Sequence, residues 1–167
     1  TKQSHLELIR QCQAIERRVF PRSEAMEIAK ELGKSNQFLF VALDPSEPCV
    51  GDGSSPSGAG GVVIGYLVVA ISKFDCCARI SKLCVAPSHR KRGVATGLFS
   101  IVLDGYLGFS GGSRAPDAPS IFSGIARCQL HVDPDRQDAV SLYRKFGFVQ
   151  ESVIVNYYAL GRDAWVL

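Results

Sequence analysis

The sequence predicts a single α/β domain built on a mixed sheet flanked by helices. Three observations carry this reading. The chain of 167 residues is long enough for one domain with its own core. Helical periodicity and strand-like apolar runs succeed one another as two helices, three strands, a helix, a strand, a helix and two strands. The runs 62–72 and 78–86 are too continuously apolar for a sheet with one wet face, which places them at its centre.

The elements follow in order. Leu6, Leu8, Ile9, Cys12, Ile15 and Val19 recur at helical spacing over 4–19, and Ser4 with Glu7 three residues on reads as a capping box. Phe20-Pro21 breaks this helix, and Ser23 caps a second one that runs to Leu32 and stops at Gly33. Residues 37–43 read as a strand. Residues 44–61 are rich in Asp, Pro, Ser and Gly and form a loop within the domain rather than a boundary. Its tail, Gly58-Ala59-Gly60-Gly61, precedes a strand instead of following one, so it is no dinucleotide fingerprint. After the two central strands a helix opens at 92–96 and continues through Leu98, Phe99, Ile101, Val102 and Leu103 to about Leu107. A second Gly/Ser/Pro-rich excursion covers 108–124. Then come a strand over 125–132, a helix over 135–146 ended by Gly147, a strand over 148–155, and a last strand within 156–167 paired with it. No internal repeat is visible, and 1–167 reads as one domain with two inserted loops.

Composition narrows the classes of function. Hydrophobic residues make up 46% and charged residues 21%, and the formal net charge is +3. That charge is too small to argue for nucleic acid, and the short basic cluster lacks interleaved aromatics. No apolar run reaches the length of a membrane span, so no membrane partner is expected. Six cysteines show no C-x-x-C and no Cys/His spacing suited to zinc, so no metal is expected, and a reduced, intracellular, cytoplasmic or nuclear protein is the reading. The chain opens at Thr1 without a methionine, which leaves an upstream targeting peptide open.

The stretch that carries chemistry is Leu83-Cys84-Val85-Ala86-Pro87-Ser88-His89-Arg90-Lys91-Arg92-Gly93-Val94-Ala95-Thr96. An apolar strand meets a proline, a basic turn with a glycine follows, and a helix begins. A helix start carries unpaired N–H groups and a positive partial charge, and so accepts an anion. Arg90, Lys91 and Arg92 add formal charge there, and Gly93 admits a phosphate close to the backbone. Together they read as a pyrophosphate cradle. A second motif, Leu142-Tyr143-Arg144-Lys145-Phe146-Gly147-Phe148, ends the helix that follows the strand 125–132.

The pair of motifs, in this order and structural context, resembles the acyl-CoA signatures of the GNAT (GCN5-related) N-acetyltransferase superfamily. Leu130-His131-Val132, Tyr143–Phe148, Asn156-Tyr157-Tyr158, the ending Gly161-Arg162-Asp163-Ala164 and the early Phe20-Pro21 resemble its protein N-terminal acetyltransferases. The resemblance implies a GNAT fold whose mixed sheet is splayed at a parallel strand pair. It implies acetyl-CoA as cofactor, and an acetyl group passed by direct attack to an amine, foremost a protein N-terminal α-amine.

In such a site Leu83, Cys84 and Val85 would pair with the cofactor arm and supply an oxyanion donor from the backbone. Residues Arg90–Thr96 would hold the pyrophosphate. His131, alone in an apolar strand, is the candidate base, and also reads as a core histidine. His89 supports phosphate binding or faces solvent. Tyr143 would donate to the departing thiolate. Phe20, Pro21, Tyr157 and Tyr158 would wall the peptide slot, although the two tyrosines read equally as strand aromatics.

Two departures stand out. Arg136 occupies a position where relatives often place a cofactor-holding asparagine, and would meet a phosphate instead. Ala78 falls near the position of a second catalytic tyrosine in some relatives. Two other readings stay open. One is a lysine or small-amine acetyltransferase, for which Glu16 and Glu24 near Phe20 would favour a polyamine. The other is a non-catalytic CoA-binding subunit, and an auxiliary protein partner is compatible with either.

Overall fold

The structure is a computed structural model that describes residues 2–48, 61–109, 111 and 113–167. Helices α1 (Lys2–Val19) and α2 (Ile28–Leu32) lead into strands β1 (Gln37–Pro48), β2 (Gly61–Ser72) and β3 (Cys77–Val85). Helix α3 (Val94–Ser100), strand β4 (Arg127–Val132), helix α4 (Gln137–Lys145) and the hairpin β5 (Ser152–Ala159) and β6 (Arg162–Val166) complete the chain. The strands form one six-stranded sheet in the order β1-β2-β3-β4-β6-β5. The α/β reading and the mixed sheet hold. As the apolar runs indicated, β2 and β3 are central.

Each face of the sheet carries its own core. On one, Leu8, Ile9, Cys12, Ile15 and Val19 of α1 and Ile28 of α2 cover Val63, Tyr66, Val68 and Cys84. On the other, α3 and α4 cover Leu67, Val69, Ile71, Ile80 and Leu130, with Phe99 fully buried at the centre. Phe99 lies against the rings of Tyr143, Phe146 and Phe148 at 5.4, 5.2 and 6.1 Å. The segment after α3 winds as a π-helix over Ile101–Tyr106, with Leu107 N–H reaching Val102 O at 2.9 Å. The excursion expected over 108–124 is more than a loop. It contains the turn Ser120–Phe122, whose buried Phe122 meets Phe38 and Tyr106.

Helix α4 ends as the glycine signal indicated. Phe148 N–H bonds Tyr143 O, Gly147 N–H bonds Arg144 O, and Gly147 takes φ +82°. This is a Schellman closure that a residue with a Cβ would strain.

Several boundaries differ from the expectation, each for a local reason. Helix α1 begins at Lys2, ahead of Ser4, and Glu7 does not close a capping box but accepts from Arg10 and Gln11 at 2.9 and 3.0 Å. Leu6 faces solvent. Residues 23–27 are not helical. Their backbone is drawn off by side chains of α1: Glu16 accepts from Met26 N–H at 2.7 Å, and Gln13 bonds Met26 O and Ile28 N–H at 3.0 and 2.9 Å. Strand β1 continues past 43 to Pro48 over two register shifts. The remainder of the expected 44–61 loop, including Cys49 and Gly58-Ala59-Gly60, lies outside the described residues. The last hairpin turns at Leu160-Gly161, not at 155–156, because Asn156 is a left-handed irregularity inside β5. Its side chain accepts from Gly161 N–H at 2.6 Å.

The feature that makes a site is the end of the β3–β4 pairing. The two strands run parallel from Cys77–Arg127 to Ile80–Leu130 and then part. Ser81 has no partner in β2, a bulge that bends β3. Residues 82–85 stay paired to β2 alone, while His131 and Val132 turn to β6. This is the splayed parallel pair the family resemblance implied.

Phe99→Ala should remove the ring on which α3, α4 and Tyr143 meet. We expect it to lower unfolding stability by about 3–5 kcal/mol, read as a shifted urea midpoint, with a loss under about 1 kcal/mol contradicting this packing.

Candidate active site

Where β3 and β4 part, a cleft of about 1570 Å³ opens, bounded by the turn after β3, the start of α4, the α1–α2 loop and β5. Of the residues singled out from the sequence, Phe20, Leu83, Cys84, Val85, Arg90, Lys91, Gly93, Val94, Ala95, Thr96, His131, Arg136, Tyr143, Tyr157 and Tyr158 all line it. Pro21 and Arg92 do not. Pro21 instead opens the turn beside the cleft, its carbonyl taking the N–H groups of Glu24 and Ala25, both at 2.9 Å. Arg92 is exposed on the basic turn.

At one end of the cleft, Pro87–His89 form a short turn pinned to β2 by Ala86 N–H to Ile64 O at 2.8 Å. Lys91 and Gly93 then take left-handed conformations, at φ +58° and +81°, and α3 starts. Gly93 is the N-cap and among the described residues no side chain caps it, so the first N–H groups of α3 are open to a ligand. A Cβ at Gly93 would meet nothing within 4 Å, which leaves the backbone open to approach. Arg90 and Lys91 flank this point. The residues present therefore fit a diphosphate, with unpaired amides, two cations and a bare glycine in one place. His89 is neither solvent-facing nor free. It is buried, with Nδ1 2.9 Å from Ser88 Oγ and Nε2 3.6 Å from Asp44, and ties the turn to β1.

In the middle lie His131 and Tyr143. The Tyr143 ring is buried against Phe99 and Phe148. Burial, with the Tyr158 phenol nearby, pushes its hydroxyl up to about 12, so it remains a donor at neutral pH. His131 is the last residue but one of β4, its ring edge-on to Tyr157 at 5.0 Å. Burial and then the Arg79 charge hold its pKa below the usual histidine value, so the imidazole is neutral at pH 7.

At the other end, a lattice of charges holds the aromatic residues. Glu16 is fully buried. It accepts from the Tyr66 hydroxyl and from Met26 N–H, and pairs with Lys82 Nζ at 3.1 Å. Lys82 also donates to Glu24 O at 2.8 Å and sits 3.8 Å over the Phe20 ring. The Glu24 carboxylate accepts from Arg136 at 2.6 Å and Arg162 at 2.8 Å, and Arg162 also holds Asp133. Burial alone would raise the Asp133 carboxyl, but the Arg162 hydrogen bonds outweigh it and leave it below the usual range. Arg136 lies between Phe20 and Tyr158, at 5.1 and 6.0 Å from the ring centres. The position expected to meet a cofactor phosphate thus faces the α1–α2 loop. Lys82 and Asp133 escaped the sequence reading, and Arg162 entered it only within the ending Gly161–Ala164, with no role assigned. A lone lysine within the apolar run 80–85 was the available signal for the first. The other two are paired across the fold and leave no local pattern.

A sheet opened between parallel strands, with an anion cradle at one end and an aromatic slot at the other, defines a transferase that passes an acyl group from a diphosphate-bearing thioester to an acceptor. The family profile of the GNAT acetyltransferase domain matches residues 36–150, and the chain belongs to this family of acetyl-CoA-dependent N-acetyltransferases. Its fold is similar to Arabidopsis thaliana NAA60 in complex with acetyl-CoA, with a TM-score of 0.67 and 21% identity over 96% of this chain and 91% of that one. It is also similar to the ribosomal-protein-S18-alanine N-acetyltransferase of Escherichia coli, at 0.63 and 16% over 95% and 84%. A spermidine N-acetyltransferase SpeG chimera from Vibrio cholerae and hSSAT gives 0.63 and 19% over 95% and 86%. Comparison with curated proteins gives no significant match.

Glu24→Ala should release the α1–α2 loop and leave Arg136 without its carboxylate. We expect a loss of about 1–3 kcal/mol in a denaturant melt together with a raised KM for the acceptor and an unchanged KM for acetyl-CoA. An unchanged melting curve would show that the lattice does not hold the loop.

Proposed function

We propose that this acetyltransferase acts on the free α-amine of a peptide or protein N-terminus. The observation that carries the reading is the acceptor end of the cleft. Phe20 faces Tyr158 across Arg136, with Tyr157 stacked edge-on to Tyr158 at 4.9 Å, so the approach is walled by aromatics. The acids that would have favoured a polyamine, Glu16 and Glu24, are spent on Tyr66, Lys82, Arg136 and Arg162. Beside Phe20 a polycation therefore meets Lys82 and Arg136, with both of those carboxylates already paired.

The chemistry assigns a task to each residue. Acetyl-CoA supplies a thioester carbonyl open to attack. An α-amine, with a pKa of about 8, needs less help to lose its proton than a lysine at about 10.4. His131 takes that proton through a bridging water, and its depressed pKa keeps the imidazole ready to do so at neutral pH. Backbone N–H groups of 83–85, freed from β4, stabilise the carbonyl oxygen as it gains charge. Full proton transfer from a phenol near 12 to a thiolate whose thiol ionises at about 8.5 is uphill. Tyr143 therefore serves as a hydrogen-bond donor to the departing sulfur, which would leave as the thiolate and take its proton from water, while the amine proton passes through His131 to solvent.

Thiol release from acetyl-CoA tests this against free-N-terminus peptides, spermidine, serotonin and an N-blocked lysine peptide. Turnover with the free peptides is expected, and turnover confined to the other amines would refute the reading. His131→Ala should lower kcat/KM by about a hundredfold or more, and Tyr143→Phe by about tenfold or more. Because the His131 pKa lies below 6.5, the wild-type kcat/KM should fall as pH drops through a value under 6.5. That limb should vanish in His131→Ala, and its persistence would remove the base assignment.

A further inference from the structure

The charge lattice at the acceptor end is not symmetric with respect to the cleft. Its carboxylates are inside: the side chains of Glu16, Glu24 and Asp133 are 0%, 7% and 5% exposed. Its cations are outside: Lys82 is 14% exposed, and Arg136 and Arg162 are each 39%. What an acceptor meets is therefore the positive side. Arg136 spends one terminal nitrogen, Nη2, on Glu24, and among the described residues nothing takes Nε or Nη1. Nη2 keeps a second hydrogen, which with the adjoining Nε or Nη1 leaves one edge of the guanidinium open on the wall of the cleft, between the Phe20 and Tyr158 rings. Planar, pre-set guanidinium donors are best satisfied by a carboxylate. Lys82, also on the cleft wall, adds a second charge from its position over Phe20. Glu27, Glu31, Asp135 and Asp138 also line the cleft; Glu31 is paired with Lys34 at 2.7 Å, and the other three are exposed, where solvent and salt screen them.

Resting on the N-terminal reading above, we propose that the enzyme selects N-termini carrying an acidic side chain, Asp or Glu, within their first two residues. Arg136 is the residue that reads the carboxylate. A basic side chain at the same place meets Lys82 and Arg136 and is rejected, so the preference has both an attractive and a repulsive part.

The test compares peptides identical except for Glu, Gln or Lys at the first or second residue, with acetyl-CoA turnover as readout. Wild type, Arg136→Gln and Arg136→Lys are each assayed, with a thermal melt to confirm folding. For wild type, Glu should exceed Gln by about tenfold or more in kcat/KM, and Lys should fall below Gln. In Arg136→Gln the Glu/Gln ratio should collapse toward one through the peptide KM. Arg136→Lys keeps the charge but loses the fork, and should give an intermediate ratio. Equal turnover of Glu and Gln peptides by wild type would overturn the acidic preference while leaving an N-terminal acceptor in place. Turnover of spermidine or the N-blocked lysine peptide, with none of the free peptides, would overturn both. A raised KM for acetyl-CoA in Arg136→Gln, with the Glu/Gln ratio unaltered, would return Arg136 to the cofactor and overturn its assignment here.

Discussion

Backbone hydrogen bonding in a sheet must be completed by something, and in this protein the completion fails at one place. β3 and β4 share four register positions, then a bulge at Ser81 turns β3 aside, and the peptide groups of 82–85 keep a partner on one side only. Such groups would be costly inside a closed core. Their position at the floor of a cleft turns the cost into a docking edge for an extended ligand. The basic turn and α3 lie where they do because β3 runs straight into them. Tyr143 reaches the opening because α4 packs over the strands on Phe99. The cofactor half of the site follows from this break in the ladder.

The acceptor half is held by different physics. The α1–α2 loop contributes Phe20 and Glu24 but makes little regular structure of its own. It is held by side chains from elsewhere: Gln13 and Glu16 of α1, Lys82 of β3, Arg136 at the start of α4 and Arg162 of β6. Removing any one leaves another charge or amide without its partner in a half-buried place, which is why the lattice acts as a unit. His131, the proposed base, lies between the halves. At His131 strand β4 passes from β3 to β6, where the sheet opens, so the proposed base belongs to the same break in the ladder.

Much of the cofactor half was legible in the chain because it is local. Strand, proline, basic turn, glycine and helix succeed one another within 83–99, and Leu142–Phe148 closes its helix at a glycine. Physical constraint and sequence order coincide there. The central strands were legible for the same reason, their burial written in unbroken apolar runs. The acceptor half was only named, not arranged. Propensity extended α2 back to Ser23, but Glu16 and Gln13 capture that backbone across the fold, and tertiary hydrogen bonds override local preference. Arg136 draws a phosphate contact from the family resemblance, because it stands where relatives place a cofactor-holding asparagine, and its partner Glu24 lies far away along the chain. Pairings of this kind leave no period or spacing to detect.

The irregularity of residues 20–27 has a consequence for inheritance and engineering. A loop whose shape is imposed by five side chains on four other elements is not a portable part. Exchanging it alone between relatives would move Phe20 and Glu24 but leave behind the anchors that aim them, so acceptor preference would not travel with the loop. Conversely, Lys82, Arg136 and Arg162 share their carboxylates and so would have to change together with them, while none of these pairings involves the basic turn 90–93. The lattice and the basic turn are thus separate sets of residues, and on the proposed assignment the scaffold can be retuned toward new amines without altering the end that would hold the acetyl donor.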